Sequence, residues 1–145
     1  MEITPEVLKQ FLEEAIPFNR FLGIRVGESA AGWARLELPF REEFIGDPLR
    51  PALHGGLVST LLDTCGGFAI WSHVDSEIRI STIDLRVDFL RPGGSELLIA
   101  ETKVVRVGNR VAVTDGIAYH PGGKDDPIAT CKAVYSVRKL AGRES

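Results

Sequence analysis

The sequence predicts an α+β domain in which a mostly antiparallel sheet carries one long helix. Three observations predict it. The stretch from Leu53 to Val74 (LHGGLVSTLLDTCGGFAIWSHV) holds the longest helical periodicity. At 100° per residue, Val58, Leu61, Leu62, Cys65, Phe68 and Ala69 fall in one apolar stripe. Around it lie segments that alternate apolar and polar residues with the period of two that strands require. Short turns join them, so consecutive strands pair as hairpins and the helix must bury its stripe on their sheet.

Taken in order, Thr4-Pro5-Glu6 reads as a helix start: a capping hydroxyl, Pro at the first position and acid in the first turn. Val7, Leu8, Phe11, Leu12 and Ala15 follow at helical spacing. Pro17 ends this helix, and Phe18 to Leu22 suits a short second turn. Residues 1–22 thus form an N-terminal helical segment, expected to pack as a lid on a main domain at 23–138. Gly23 to Leu38 reads as two strands joined at Ala31-Gly32, with Ala34, Leu36 and Leu38 inward. Pro39 to Leu53 reads as a loop leading straight into the long helix.

Beyond the helix, Ser81 to Phe89 alternates cleanly. Ser81, Ile83, Leu85, Val87 and Phe89 share one face, and Thr82, Asp84, Arg86 and Asp88 the other. Leu97 to Val107 and Arg110 to Tyr119 form a hairpin through Gly108-Asn109. PGGKDDP at 121–127 is a looser turn. The last strand, Ile128 to Arg138, turns Ala129, Cys131, Ala133, Tyr135 and Val137 to one side. The polar tail 139–145 is expected to fray.

Composition narrows the function. The net charge of −3 comes with no basic block, which argues against nucleic acid. No apolar run reaches the length of a membrane span, and the N-terminus lacks an apolar signal core, so a cytoplasmic location is expected. Cys65 and Cys131 lie in apolar patterns and read as small buried hydrophobes. His54, His73 and His120 form no HxxxH or HxH pair, so no metal site is expected.

Chemistry concentrates in the long helix. His54-Gly55-Gly56 opens it, and a helix start presents free N–H groups and a positive dipole end. Ser59, Asp63 and Gly67 fall opposite the apolar stripe, and Asp63 is the only carboxylate in the stretch. Gly66 and Gly67 stand mid-helix, where each costs about 1 kcal/mol relative to Ala. They share the Asp63 side with Ile70. That side is therefore expected to meet a close neighbour rather than water, and the chain to be at least a dimer.

These residues resemble a known family. HGGLxxxLLD (His54, Gly55, Gly56, Leu57, Asp63), then Ser81-Thr82-Ile83-Asp84-Leu85, then Phe89-Leu90-Arg91-Pro92-Gly93 look like the hotdog-fold acyl-CoA thioesterases. The likeness is to the PaaI-like group related to 4-hydroxybenzoyl-CoA thioesterase, and it covers about Phe21 to Arg138. The resemblance implies an antiparallel sheet wrapped around the helix, and a homodimer, often paired into a homotetramer, with sites between subunits. It implies that the Gly55 N–H polarises the thioester carbonyl. Asp63 of the facing subunit would act as general base or nucleophile. Thr82, with Ser81 as fallback, would position water. No cofactor is implied, because coenzyme A is part of the substrate.

Other assignments follow from the same likeness. Relatives commonly carry Asn or Gln a few residues before HGG, whereas this loop reads Gly46-Asp47-Pro48-Leu49-Arg50-Pro51-Ala52. Asp47 or Arg50 takes over that contact, or the role is absent. His54 either touches the thioester or fixes the turn by bonding to backbone, with Gly56 beside it. Arg91, Arg106 and Arg110 are candidates for the phosphates of coenzyme A. Two rivals stand beside hydrolysis: a non-catalytic acyl-CoA-binding protein, against which Asp63 argues, and a hydratase or dehydratase, which the HGG-to-Asp spacing fits poorly.

Overall fold

A computed structural model describes residues 4–74 and 78–140. Six strands form one antiparallel sheet, and one helix of 19 residues, α3 (Gly55–His73), packs on it. The strands are β1 (Arg25–Ala30), β2 (Trp33–Leu38), β5 (Ile78–Phe89), β6 (Leu98–Val107), β7 (Val111–Tyr119) and β8 (Ala129–Lys139), in the order β1-β2-β6-β7-β8-β5. The predicted stripe of α3 is the centre of the core: Leu61, Leu62, Cys65 and Ala69 have no exposure, with Val58 and Phe68 at 2% and 1%. Small inward residues on the sheet let the helix approach the strands closely. Ala34, Ala100, Ala112 and Ala133 are fully buried, and the Cys65 thiol donates to the Ala34 and Ala100 carbonyls at 3.4 and 3.5 Å.

Three segments depart from the sequence reading. The N-terminal helix is not continuous. It runs as α1 (Pro5–Gln10), capped by Thr4 Oγ1 accepting the Val7 N–H, then a π turn over Phe11–Ala15, then α2 (Pro17–Leu22). The wider turn brings Leu12 to 1% exposure and sets the Phe11 ring edge-on to Trp71 at 5.3 Å. The loop at 39–53 contains a 3-10 turn (Glu42–Phe44) and a two-stranded ribbon, β3 (Ile45–Asp47) with β4 (Ala52–Leu53). Of the tail at 139–145, Lys139 closes β8 and residues 141–145 lie outside the described residues.

The departure in β5 matters most. β5 does not alternate strictly, because the register against β8 shifts between Thr82 and Asp84. One extra residue, Ile83, is bulged out and is 59% exposed. A bulge reverses the parity of every residue before it. Leu85, Val87 and Phe89 keep the inward face, and upstream of the bulge that face passes from Ser81 to Thr82 and Ile80.

The glycines of α3 also need a correction. Gly66 and Ile70 are buried by the chain's own sheet, not by a neighbour. A Cβ at Gly66 would lie 2.3 Å from the Tyr135 hydroxyl and 2.9 Å from Thr114 Oγ1, whereas a Cβ at Gly67 meets nothing nearer than Tyr135 Cε1 at 3.9 Å. The two substitutions should therefore act in opposite directions. Gly66→Ala should destabilise, because overpacking costs about 1–3 kcal/mol against a helix-propensity gain near 1. Gly67→Ala should stabilise by about 0.5–1 kcal/mol. Denaturant unfolding of both variants checks the pair.

Candidate active site

The start of α3 is fixed by its neighbours on three sides. The Leu53 N–H donates to the Gly93 carbonyl and the His54 N–H to the Phe44 carbonyl, at 3.0 and 2.9 Å. Gly46 is needed for the latter approach, since a Cβ there would lie 2.7 Å from His54 Cα. His54 is the N-cap, and its Nδ1 accepts the Gly56 N–H at 2.9 Å. Accepting at Nδ1 leaves the ring proton on Nε2. This is the bond that the turn-fixing reading of His54 expects. The Gly56 N–H is thereby used. The Gly55 N–H has no partner among the described residues, and the Phe89 ring lies 3.3 Å from where a Gly55 Cβ would stand.

Two turns along α3, the half-buried Asp63 faces β5, and its Oδ1 accepts the Thr82 hydroxyl at 2.8 Å. Ser81 is exposed and turned away, for the parity reason given above. A cleft of about 210 Å³ runs between Asp63 and Thr82 on one side and Leu12, Ile16 and Trp71 on the other. A second cleft of about 660 Å³ lies at the helix start, where His54, Gly56, Leu57 and Thr60 face Phe18 and Phe21. Thus the helix start, through His54 and Gly56, and the carboxylate line separate clefts. A water held by the carboxylate can be activated, and an oxygen developing charge can be stabilised at a helix N-terminus.

The structure does not gather the remaining predicted residues at either point. Asp47 and Arg50 pair with each other at 3.2 Å, and the Leu49 N–H on Asp47, with the Arg50 contact, lowers that carboxyl's pKa. Arg91 donates through Nε and Nη2 to the Asp126 carbonyl and pairs with its carboxylate at 3.2 Å, which pins the 121–127 turn. Its Nε and Nη2 are engaged there, and its side chain stays partly exposed. Arg106 and Arg110 flank the β6–β7 turn, at the end of the sheet where α3 finishes, because Ala112 packs with Ile70. Within one chain that is the far end from Gly55.

The sequence reading missed Tyr135, which appears there only as one more inward residue of β8. Its hydroxyl donates to the main-chain carbonyl of Asp63 at 2.8 Å. The mid-helix Gly66, which admits that hydroxyl, is the signal in the sequence that could have found it. Burial first, then the Asp63 charge, pushes the phenol above its ordinary range, so it stays a donor.

His120 and the two thiols serve the fold. His120 accepts the Gly94 N–H at Nε2 and bonds the Leu97 carbonyl through Nδ1, both at 2.8 Å. Burial pushes the Cys65 thiol up to about 12, and burial with the Asp115 charge takes Cys131 to about 11. Neither should react with a thiol reagent in the native protein at neutral pH, and both should on unfolding. The folded values stand above the ordinary 9.0, so the folded state holds protons that the unfolded state releases. This contribution to stability is intact below that pH and is lost as pH rises through the folded values. No group of His, Cys, Asp and Glu suited to a metal occurs among the described residues.

Six antiparallel strands holding one long helix, with HGG at its start and an Asp–Thr pair at its middle, make up the hotdog architecture. A family model described as the thioesterase superfamily matches residues 51–126. The chain is 38% identical over 117 residues to VNG_1336C of Halobacterium salinarum, whose name offers esterase as a provisional assignment, with 79% of this chain and 77% of that one covered. It is 35% identical over 111 residues to YigI of Escherichia coli, named a medium/long-chain acyl-CoA thioesterase, covering 68% and 72%. A thioesterase family protein of Silicibacter pomeroyi superposes with TM-score 0.78 at 27% identity, over 91% of this chain and 98% of that one. The chain belongs to the thioesterase superfamily, and with it to the thioester hydrolases.

Proposed function

We propose that this protein hydrolyses the thioester of an acyl- or aryl-coenzyme A to the free acid and coenzyme A, at sites shared between two copies of the chain. One observation carries the shared site. Gly55 and Asp63 are eight residues apart on one rigid helix, hence about 12 Å. A single carbonyl cannot lie against the Gly55 N–H and receive water from Asp63 of the same chain. The free edge of the sheet supports the pairing. β5 is a border strand of 12 residues that carries Thr82 and exposes Ile83 and Phe89 at 59% and 53%. A long border strand leaves a row of unpaired backbone N–H and C=O groups, a template for pairing with another strand. Two copies joined in antiparallel fashion along β5 bring Asp63 of one toward Gly55 of the other.

In this reading Thr82 holds the carboxylate, Asp63 takes a proton from water, and the water oxygen attacks the thioester carbon. The oxyanion forms against the Gly55 N–H and the helix dipole, and collapse expels the thiolate. The thiolate is a weaker base than an alkoxide and needs no acid partner. The same antiparallel pairing carries the Arg106 and Arg110 end of one protomer toward the other's helix start, which keeps them as candidates for the phosphates of coenzyme A. The apolar lining of both clefts suits an acyl chain, and the likeness to YigI sets medium and long chains first. A cytoplasmic location is part of the proposal, supported by two unpaired buried thiols.

The test is free-thiol release from short, medium, long and aryl acyl-CoAs, with the mass in solution measured on the same preparation. Thiol release by a dimer or tetramer supports the reading. An active monomer removes the shared site. Acyl-CoA binding without thiol release replaces hydrolysis with a carrier or sensor role.

A further inference from the structure

We propose that Tyr135 is a positioning residue that fixes Asp63 for the reaction by holding its main chain, while Thr82 holds its carboxylate. The inference rests on the reading of Asp63 as the base. Thr82 and Tyr135 are direct partners across the β5–β8 ladder. Residues so paired stand about 4.5–5.5 Å apart with side chains on the same face. From this one pair, Thr82 Oγ1 reaches Asp63 Oδ1 and the Tyr135 hydroxyl reaches the Asp63 carbonyl, each at 2.8 Å. Two bonds from adjacent strands to two ends of one residue define where its carboxylate sits relative to the sheet edge. A shift of α3 along or about its axis breaks at least one of them.

Stability alone does not call for this arrangement. Asp63 lies inside a continuous helix, so its carbonyl already has an intrahelical acceptor role, and the phenol takes the second lone pair. A buried Phe would fill the same space without a polar atom to satisfy. The hydroxyl also demands Gly66, whose Cβ would collide with it at 2.3 Å, and a mid-helix Gly is unfavourable. Two local rules of helix and core design are broken within one turn of Asp63, the pattern expected where a side chain must be held in place.

The experiment is a cycle of Tyr135→Phe and Asp63→Asn, singly and together, in the full chain, with kcat, KM, melting temperature and oligomeric state measured. Tyr135→Phe should lower kcat by about tenfold or more, since a displacement of about 1 Å at a catalytic group costs up to about 10²-fold. KM should stay within about twofold. On the Asp63→Asn background the added Tyr135→Phe should change kcat by less than about twofold, because a residue acting through Asp63 has nothing left to position. Tyr135→Phe with kcat near wild type, or the same loss on both backgrounds, overturns the proposal. So does loss of folding or assembly in Tyr135→Phe, which would make the hydroxyl a structural support. A harmless Asp63→Asn would instead remove the base itself. The cycle thus separates failure of the positioning role from failure of the reading beneath it.

Discussion

Replacing Asp63 by Asn should lower turnover roughly 10²–10⁴-fold, the range for removal of a general base. The substitution is clean in this structure. Thr82 Oγ1 donates to Asp63 Oδ1, and an amide oxygen accepts the same bond. The hydroxyl of Tyr135 bonds the main chain, which the substitution leaves alone. Packing, helix and sheet edge therefore survive, and only basicity is lost. KM should change little, because the reacting carbon of a thioester is uncharged. Turnover, oligomeric state and melting temperature on one preparation separate the readings. Intact assembly with turnover within about threefold of wild type would put the base elsewhere and move acyl-CoA binding without hydrolysis into first place. A large drop in melting temperature or dissociation would make the carboxylate structural.

Gly55→Pro should lower turnover about 10²–10³-fold, the usual effect of losing one oxyanion donor. Gly55 is the first residue of α3, where Pro is well tolerated because the N–H has no intrahelical partner. His54 before it is extended at φ −62° and ψ 128°, which a following Pro prefers. The fold should hold, with a small adjustment of the Phe89 ring that lies 3.3 Å from the Cβ position. Near-normal turnover in a folded variant would exclude Gly55 as the donor. The two variants also test the shared site together. If each site draws Gly55 from one chain and Asp63 from the other, mixed pairs of Gly55→Pro with Asp63→Asn contain one site with both defects and one with neither. Random reassortment should then restore roughly a quarter of wild-type turnover, since half the pairs are mixed and each keeps one intact site of two. No recovery after exchange would place both groups in the same chain's site.

The periodic elements were legible because each is set by local rules. The stripe of α3 obeys a 3.6 period and is buried as expected, as are Ala34, Leu36 and Leu38 on β2 and the inward row of β8. Thr4 and Pro5 cap α1 for reasons contained in four residues. The turn at Gly108-Asn109 likewise declares itself, with the Gly108 N–H bonded to the Val111 carbonyl at 2.8 Å. By contrast β3 and β4 have too few residues to show a period, and they form because the ribbon pairs with itself and the His54 N–H bonds the Phe44 carbonyl.

The site divides along the same line. Residue type and spacing within one element were enough to single out the two positions on which the proposal rests, a helix start at Gly55 and a lone carboxylate at Asp63. The charged candidates were a different matter. Asp47 and Arg50 paired with each other inside one loop, whereas Arg91 found Asp126 on a distant turn, a partner that no local rule names. The choice between Ser81 and Thr82 turned on the bulge at Ile83, which is a property of two strands in register rather than of either one. Strict alternation favours Ser81, and only the pairing with β8 sets Thr82 against Asp63. The meaning of Gly66 was also a tertiary decision. A mid-helix Gly announces a close approach without saying what approaches, and the structure gives the Tyr135 hydroxyl, reached across 72 residues of sequence, as the answer.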